Sequence, residues 1–325
     1  MTMKAIRQHQ HGDIEVLKLE TVEIPTPSPG QALIRVHAAG INPVDTYIRA
    51  GTNGYSAQMP HTPGLDGAGV IAALGDDHSH QLNVGDRVYF TGSFTGTSAE
   101  YALCDITKIH SLPDNVPFEE GACVGIPCTT AWRALFQRGQ AKPGETLLVH
   151  GASGGVGLAA VQLGVAAGLT VIGTAGSEEG RQLVKTQGAH LVLDHSNDTH
   201  MDDLLEWTHG KGVDIALEML ANINLGHDLN ALAMGGRVIV IGNRGTVTIN
   251  PRDLMKRDAD IRGMSVFNAS ETDRKVIHSA LYAALAIGSL KPVIAKTFPL
   301  EHLGEAHTAV LQPGAMGNMV VKVHD

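Results

Sequence analysis

The stretch Thr146-Leu-Leu-Val-His-Gly-Ala-Ser-Gly-Gly-Val-Gly-Leu-Ala-Ala160 decides the fold. Thr146–His150 is apolar without alternation, the mark of a strand covered on both faces, and Gly154–Ala167 reads as a helix rich in Ala and Leu. Between them the glycines follow GxxGxxG spacing rather than strict GxGxxG. Gly151 and Gly154 allow a tight turn and close backbone approach, and Gly157 lets helix and strand pack. Free amides at the helix N-terminus then face a diphosphate. A glycine turn alone is a weak signal, and a ligand-free structural turn is the bland alternative. The strand before it, the helix after it and the units that follow give it weight.

Downstream, the runs Thr170–Ala175, His190–Asp194, Val213–Met219 and Arg237–Ile241 read as strands. The segments Glu178–Gln187, Asp202–Thr208 and Leu225–Met234 between them read as helices. Apolar strands alternating with helices predict a doubly wound parallel sheet. Upstream, Met3–Gln8, Gln31–Ala39, Ala68–Leu74, Arg87–Phe90 and Ala99–Leu103 are short β-runs punctuated by Pro and Gly. Phe118–Gly139 is helical in pattern, with Pro127 expected to open a fresh helix at its first turn. A final β-run, Met319–Val323, follows a helix at Glu301–Leu311 and rejoins the N-terminal part. The expected domains are a β-rich one, 1–121 with 292–325, and a dinucleotide-binding one, 122–291.

At 325 residues, with 43% hydrophobic and 18% charged, the chain supports two packed domains rather than disorder. A net charge of −9 and no Lys/Arg run argue against a nucleic-acid binder. No apolar leader region opens the sequence, and the apolar stretches are too short to span a bilayer, so a cytoplasmic location is expected. Cys104, Cys123 and Cys128 lack CxxC spacing and read as buried small hydrophobes.

NAD binders place an acid at the end of the second strand, about 20 residues past the turn. Here that stretch is Gly173-Thr-Ala-Gly-Ser177, and no acid comes before Glu178. The vacancy suits a 2′-phosphate, and NADPH is the expected cofactor, with Arg181 and His195 as neighbours. The bland reading of Arg181 is an ordinary exposed helix residue. Zinc is not expected. No four-cysteine cluster exists, and Asn42 and Asp45 stand in Gly40-Ile-Asn-Pro-Val-Asp45, where a cysteine ligand would sit. The 17 histidines are scattered; the pairs His9/His11 and His78/His80 read as solvated loop residues. Without a metal to polarise an alcohol, reduction of an activated, conjugated acceptor is favoured.

The residues resemble the zinc-free branch of the medium-chain dehydrogenase/reductase superfamily, within it the quinone oxidoreductase (zeta-crystallin-like) family. The resemblance rests on Val36–Val44, Thr46–Arg49, Thr62–Gly64, Val149–Ala160, Gly173–Gly176, Glu218–Asn222, Gly235–Val240 and Ile249–Asp253. It implies a GroES-like N-terminal domain completed by the C-terminal tail, a Rossmann domain, and NADPH-dependent one- or two-electron reduction of quinones in the cleft between them. It implies Ser153–Val156 at the pyrophosphate and Gly176 and His195 at the adenosine ribose and its 2′-phosphate. Asn224 and Ile241, Gly242, Asn243 and Arg244 would lie along the cofactor. Met264, Ser265 and Val266 would line the nicotinamide end, though their residue types differ. Tyr47 and Asn42 would stand at the substrate mouth and Thr130 under the nicotinamide ring. Some bacterial members use a lysine and a tyrosine for the 2′-phosphate where this chain has Gly180 and His195, which shifts that role toward Arg181 or Arg244.

Tyr47 can stack a ring, and Asn42 can donate to a carbonyl oxygen; a packing tyrosine and a turn are their bland readings. Two other functions remain open on sequence: an enone double-bond reductase, and a cofactor-binding structural or RNA-binding protein. An edge strand at Ile261–Phe267 would favour a homodimer or homotetramer.

Overall fold

The computed structural model describes residues 1–76 and 82–324, so His78 and His80 lie outside the described residues. Contacts divide the chain into two units, Met1–Pro127 with Pro292–Pro313 and Gly317–Asp325, and Cys128–Lys291 with Gly314–Met316.

The first unit begins with an antiparallel pair, β1 (Thr2–Arg7) and β2 (Lys18–Glu23). Then come β3 (Gln31–Ile41), α1 (Pro43–Ala50), β4 (Asp66–Leu74), β5 (Arg87–Thr91), β6 (Tyr101–Asp105), β7 (Ile109–Ser111) and the short α2 (Phe118–Gly121). Most of β3 is buried, and from it Ile34 and Val36 meet Ile71 and Phe90 in one core cluster. The start of α1 is fixed by Pro43 at its first position, where a missing N–H costs nothing, and by Asp45 Oδ2 accepting from the Asn42 amide at 2.8 Å.

The second unit holds α3 (Thr129–Trp132), β8 (Thr146–Val149), α4 (Gly155–Ala166), β9 (Thr170–Thr174), α5 (Glu178–Thr186) and β10 (Leu191–Leu193). It continues with α6 (His200–Trp207), β11 (Val213–Glu218), α7 (Ala221–Ala231), β12 (Leu232–Val240), α8 (Pro251–Met255), β13 (Asp260–Gly263) and α9 (Glu271–Ala286). Its six parallel strands run β10-β9-β8-β11-β12-β13, and the order reverses between β8 and β11. In such sheets ligands bind outside the carboxyl ends of the strands at that reversal. Leu148, Ile172, Ala216 and Val238 fill the interior from the strands, with Leu204 and Leu229 from the helices.

The tail, β14 (Ile294–Pro299), α10 (Leu303–Ala309) and β15 (Asn318–Lys322), belongs to the first unit. β15 pairs antiparallel with β3, Val320 opposite Gly40. No helix among the described residues is long and apolar enough to cross a membrane.

Three local expectations need correction. Pro127 does not open a helix; it lies inside a π-helical stretch, Val124–Cys128, followed by α3 and a second π-helical stretch, Arg133–Arg138. The helix expected to reach Met234 stops at Ala231, because Leu232 pairs with Val213 and starts β12. The edge strand is Asp260–Gly263, while Val266–Asn268 forms a 3-10 turn.

Candidate cofactor and substrate site

β8 ends at Val149, and His150 still bonds to the neighbouring strand through its amide and the Leu217 carbonyl, 3.1 Å apart. The turn that follows is held from below: the Gly151 amide donates to Thr174 Oγ1 at 3.2 Å and the Ala152 amide to the Thr174 carbonyl at 2.8 Å. Gly154 caps α4 in an extended conformation, so Gly155, Val156 and Gly157 form the first helical turn. First-turn amides have no partner within their helix, and here they stand at an anion-attracting helix end. A Cβ on Gly157 would come within 2.5 Å of the Gly151 carbonyl oxygen, so helix and turn pack backbone to backbone. The cradle fits a dinucleotide diphosphate.

The other cofactor candidates of this unit collect at the strand ends. Gly176 follows β9, and His195 follows β10. Their proximity needs a glycine, since a Cβ at 176 would meet His195 Nε2 at 2.8 Å. Partial burial first, and His150 second, hold the His195 imidazole below the usual histidine value. Arg181, in the first turn of α5, is not free: it bonds to Asp194 Oδ2 at 2.7 Å, Glu178 Oε2 at 2.6 Å and the Gly176 carbonyl at 3.2 Å. Asn224 lies on α7, past the end of β11. Ile241 and Gly242 follow β12, and both amides bond the Glu218 carbonyl. Asn243 Nδ2 donates to the Gly245 carbonyl, and the Arg244 amide is held by Asn222 Oδ1 at 2.9 Å while its side chain is exposed. Met264, Ser265 and Val266 follow β13, the Met264 amide bonding the Val240 carbonyl. Thr130 is buried on α3.

In the first unit Tyr47 is half-buried on α1, its ring 6.2 Å from that of Tyr55. Asn42 is buried, and its Nδ2 donates to Asp66 Oδ2 at 2.9 Å. Asp66 also accepts from Thr91 Oγ1 at 2.7 Å and from the Ile126 amide at 2.8 Å. Burial pushes Asp66 up to about 6 and Asp45 up to about 8. Asp45 therefore keeps its proton in the fold at neutral pH and loses it in the unfolded chain above about 3.8, its ordinary value. Between those limits the folded state binds more protons, so stability falls as pH rises from about 4 to about 8. Asp45→Asn keeps an oxygen for the Asn42 amide and removes this loss. Thermal melts from pH 5 to 9 should show the variant gaining on the parent as pH rises; parallel curves would refute the buried proton.

This pocket does not suit zinc. Asn42 supplies an amide where zinc takes Cys, His or a carboxylate, and donors already hold both Asp66 oxygens. Among the described residues, one group gathers three His/Cys/Asp/Glu ligand atoms within 4.8 Å of one another: His150, Glu218 and Asp228, all buried. There His150 Nε2 lies 2.7 Å from Asp228 Oδ1. Two atoms sharing a tetrahedral zinc at about 2.0 Å stand roughly 3.3 Å apart, so this contact is a hydrogen bond rather than a ligand pair. Neither Glu218 nor Asp228 stood out in the sequence by spacing, since the three residues are far apart along the chain.

Residues 28–114 match the alcohol dehydrogenase GroES-like domain, and residues 155–281 the zinc-binding dehydrogenase domain. Human quinone oxidoreductase is 47% identical over 98% of this chain and 97% of its own. Among solved structures, an NAD-dependent alcohol dehydrogenase superposes with a TM-score of 0.91 at 27% identity, covering 99% of this chain and 100% of its own. A mycobacterial protein complexed with NADPH superposes with 0.89 at 27% identity, with the same coverage. The dehydrogenase domains place the chain broadly and the near-complete match narrows it: this protein belongs to the quinone oxidoreductase family of the medium-chain dehydrogenase/reductase superfamily.

Proposed function

We propose that this chain is an NADPH:quinone oxidoreductase that works without zinc. The observation that carries the reading is the phosphate cradle at Gly151–Gly157, set at the strand-order reversal of a sheet whose neighbouring strands are followed by Gly176, His195, Ile241–Arg244 and Met264–Val266. The family relationship supports the acceptor, since the relatives that match nearly the whole chain are named quinone oxidoreductases.

NADPH, when bound, supplies the hydride. The amides of Ser153, Gly155 and Val156 bind the diphosphate, the Gly154 amide being bonded to the Gly151 carbonyl at 3.1 Å. Gly176 leaves the 2′-phosphate room beside His195, and Arg181 serves that phosphate to the extent that it is drawn from Asp194 and Glu178. Asn224, Ile241–Arg244 and Met264–Val266 orient the rest of the cofactor, and Thr130 supports the nicotinamide ring. Tyr47 stacks the acceptor ring. Asn42, with one N–H committed to Asp66, offers the other to the acceptor's carbonyl. Solvent protonates the product oxygen, so no acid need be built into the site.

The protein acts as a homodimer or homotetramer, and the exposed edge strand Asp260–Gly263 is where a second copy pairs. A reducing compartment, the cytoplasm, suits its three buried thiols.

The test is steady-state oxidation of NADPH and NADH against a panel of quinones and an α,β-unsaturated ketone. Quinone turnover with kcat/KM for NADPH at least about tenfold above that for NADH is expected, a difference of about 1.4 kcal/mol. Turnover with the enone and not the quinones, or a preference for NADH, would overturn the proposal.

A further inference from the structure

At the strand-order reversal, directly under the phosphate cradle, three ionisable side chains are buried together. His150 follows β8, Glu218 ends β11 and Asp228 sits in α7; Glu218 and Asp228 are 0% and 1% exposed. His150 Nε2 is 2.7 Å from Asp228 Oδ1 and 3.6 Å from Glu218 Oε2. Glu218 Oε1 accepts from the Leu220 amide and, at 3.2 Å, from Asn224 Nδ2. That leaves Glu218 Oε2 and Asp228 Oδ2 buried with no hydrogen-bond donor among the described residues, while an oxygen of each carboxyl group lies within 4.8 Å of one on the other. Two acceptors cannot bond unless one carries a proton, and a buried, unsatisfied pair of carboxylates is strongly disfavoured. The hydrogen-bond distance to His150 already argues against a metal in place of that proton.

We propose that Glu218 is a positioning residue for the cofactor: a proton held between Glu218 and Asp228, with His150 alongside, fixes the Leu220–Asn224 segment against the dinucleotide. The Glu218 carboxyl can then accept from Leu220 and Asn224 on one oxygen and donate to Asp228 through the other. Once the proton leaves, the two carboxylates repel, and the segment they hold shifts. Burial first, opposed by His150, brings Glu218 to about 7, which places the transition in an accessible range. Burial opposes a charge on His150, but Asp228 outweighs it and raises the imidazole. The other charged groups near this corner are His195 and Asp194 after β10 and Arg181 on α5. Because the occupant is taken to be NADPH, the inference rests on the function proposed above.

The experiment measures KM for NADPH, kcat and thermal stability across pH 6 to 9 for the parent, Glu218→Gln and Glu218→Ala. Glutamine reproduces the protonated shape, donating to Asp228 and accepting from Leu220 and Asn224. In the parent, KM should rise above about pH 7 with kcat within about twofold. Glu218→Gln should match the parent at low pH and show no rise. Glu218→Ala should raise KM about tenfold at every pH, since the segment loses its acceptor. Coincident pH profiles for parent and Glu218→Gln would overturn the inference, as would a glutamine variant as impaired as the alanine one. Should both variants fail to fold, calorimetry of NADPH binding to the parent at pH 8, in buffers of different ionisation enthalpy, decides. Net proton uptake is expected there, where the 2′-phosphate (second pKa about 6) is already ionised, and no uptake would refute the shared proton. A parent that bound no NADPH at all would instead defeat the functional proposal.

Discussion

Valine at position 154 and valine at position 157 should injure the protein in opposite ways. Gly154 has φ −79° and ψ 170°, a conformation any residue adopts, and a Cβ there would approach nothing nearer than the Gly151 carbonyl at 3.5 Å. The protein itself therefore has no need of a glycine at 154. The space beside it is where the diphosphate would lie, and Gly154→Val fills that space with two methyl groups. Its melting temperature should stay within a degree or two of the parent's, while KM for NADPH rises about a hundredfold, roughly 2.7 kcal/mol of lost binding. Gly157 is the reverse case. Its Cβ would stand 2.5 Å from the Gly151 oxygen and 2.6 Å from Ala152 Cα, both backbone atoms that cannot swing away. Gly157→Val must push α4 off the turn, at a cost of about 3 kcal/mol. For a unit of this size that is roughly 10 °C in melting temperature. Thermal melts and NADPH titrations on both variants check the pair. Normal NADPH affinity in a fully folded Gly154→Val protein would remove the diphosphate from this turn.

The same contrast shows what a sequence displays and what it hides. Gly151–Gly157 is legible because one continuous stretch carries strand, turn and helix, each with its own local signal. The parallel sheet is legible for the same reason: strands covered on both faces are apolar throughout, and helices separate them. Three places misled because local preference was overruled by distant partners. Leu232-Ala-Met234 favours a helix on propensity, yet Leu232 takes its place opposite Val213 in the sheet. Pro127 suits a first helical turn, but the chain around it is wound into π-turns. At 264–266 the apolar residues continue the strand pattern, while the pairing with β12 ends at Gly263.

The candidate site divides along the same line. The cofactor candidates came from the glycine turn, from the missing acid after the second strand or by resemblance, and in the second unit Gly176, His195, Ile241–Arg244 and Met264–Val266 follow the ends of strands. The polar machinery beneath them had no local mark. Arg181 reads alone as a cation awaiting a phosphate; in the fold it already bridges Asp194 and Glu178. Asn42 reads as a free donor, and in the fold it leans on Asp66, 24 residues away. The partnership of His150, Glu218 and Asp228 depends on the register of two strands and one helix, which no window of sequence contains.

Arg237 carries the second large effect, and it tests stability apart from the site. It lies on β12, 8% exposed, and its guanidinium forks onto Glu145 with contacts of 2.7 and 2.8 Å. The same group donates to the carbonyls of Gly139 at 2.7 Å, Gln140 at 3.2 Å and Asp214 at 3.2 Å. One side chain thus satisfies three carbonyls and an acid around the start of β8. Arg237→Leu takes the donor from the Gly139 and Asp214 carbonyls and leaves Glu145 with the Lys142 amide alone, and should destabilise the protein by about 3 kcal/mol, or roughly 10 °C. Arg237→Lys should recover less than half, because an ammonium cannot reproduce the fork. Burial works to raise Glu145, but the Arg237 hydrogen bonds, and then the Lys142 amide, outweigh it and hold the acid below its ordinary 4.5. A depressed acid contributes stability above its unfolded value and loses it as pH falls through its folded one. The gap between parent and Arg237→Leu should therefore be full at pH 7 and shrink below about pH 4.5. Glu145 stands at the amino end of β8 and the phosphate cradle at its carboxyl end, so KM for NADPH at 20 °C should be unchanged in the folded variant. A variant that melts normally but binds NADPH poorly would show that Arg237 serves the cofactor rather than the sheet.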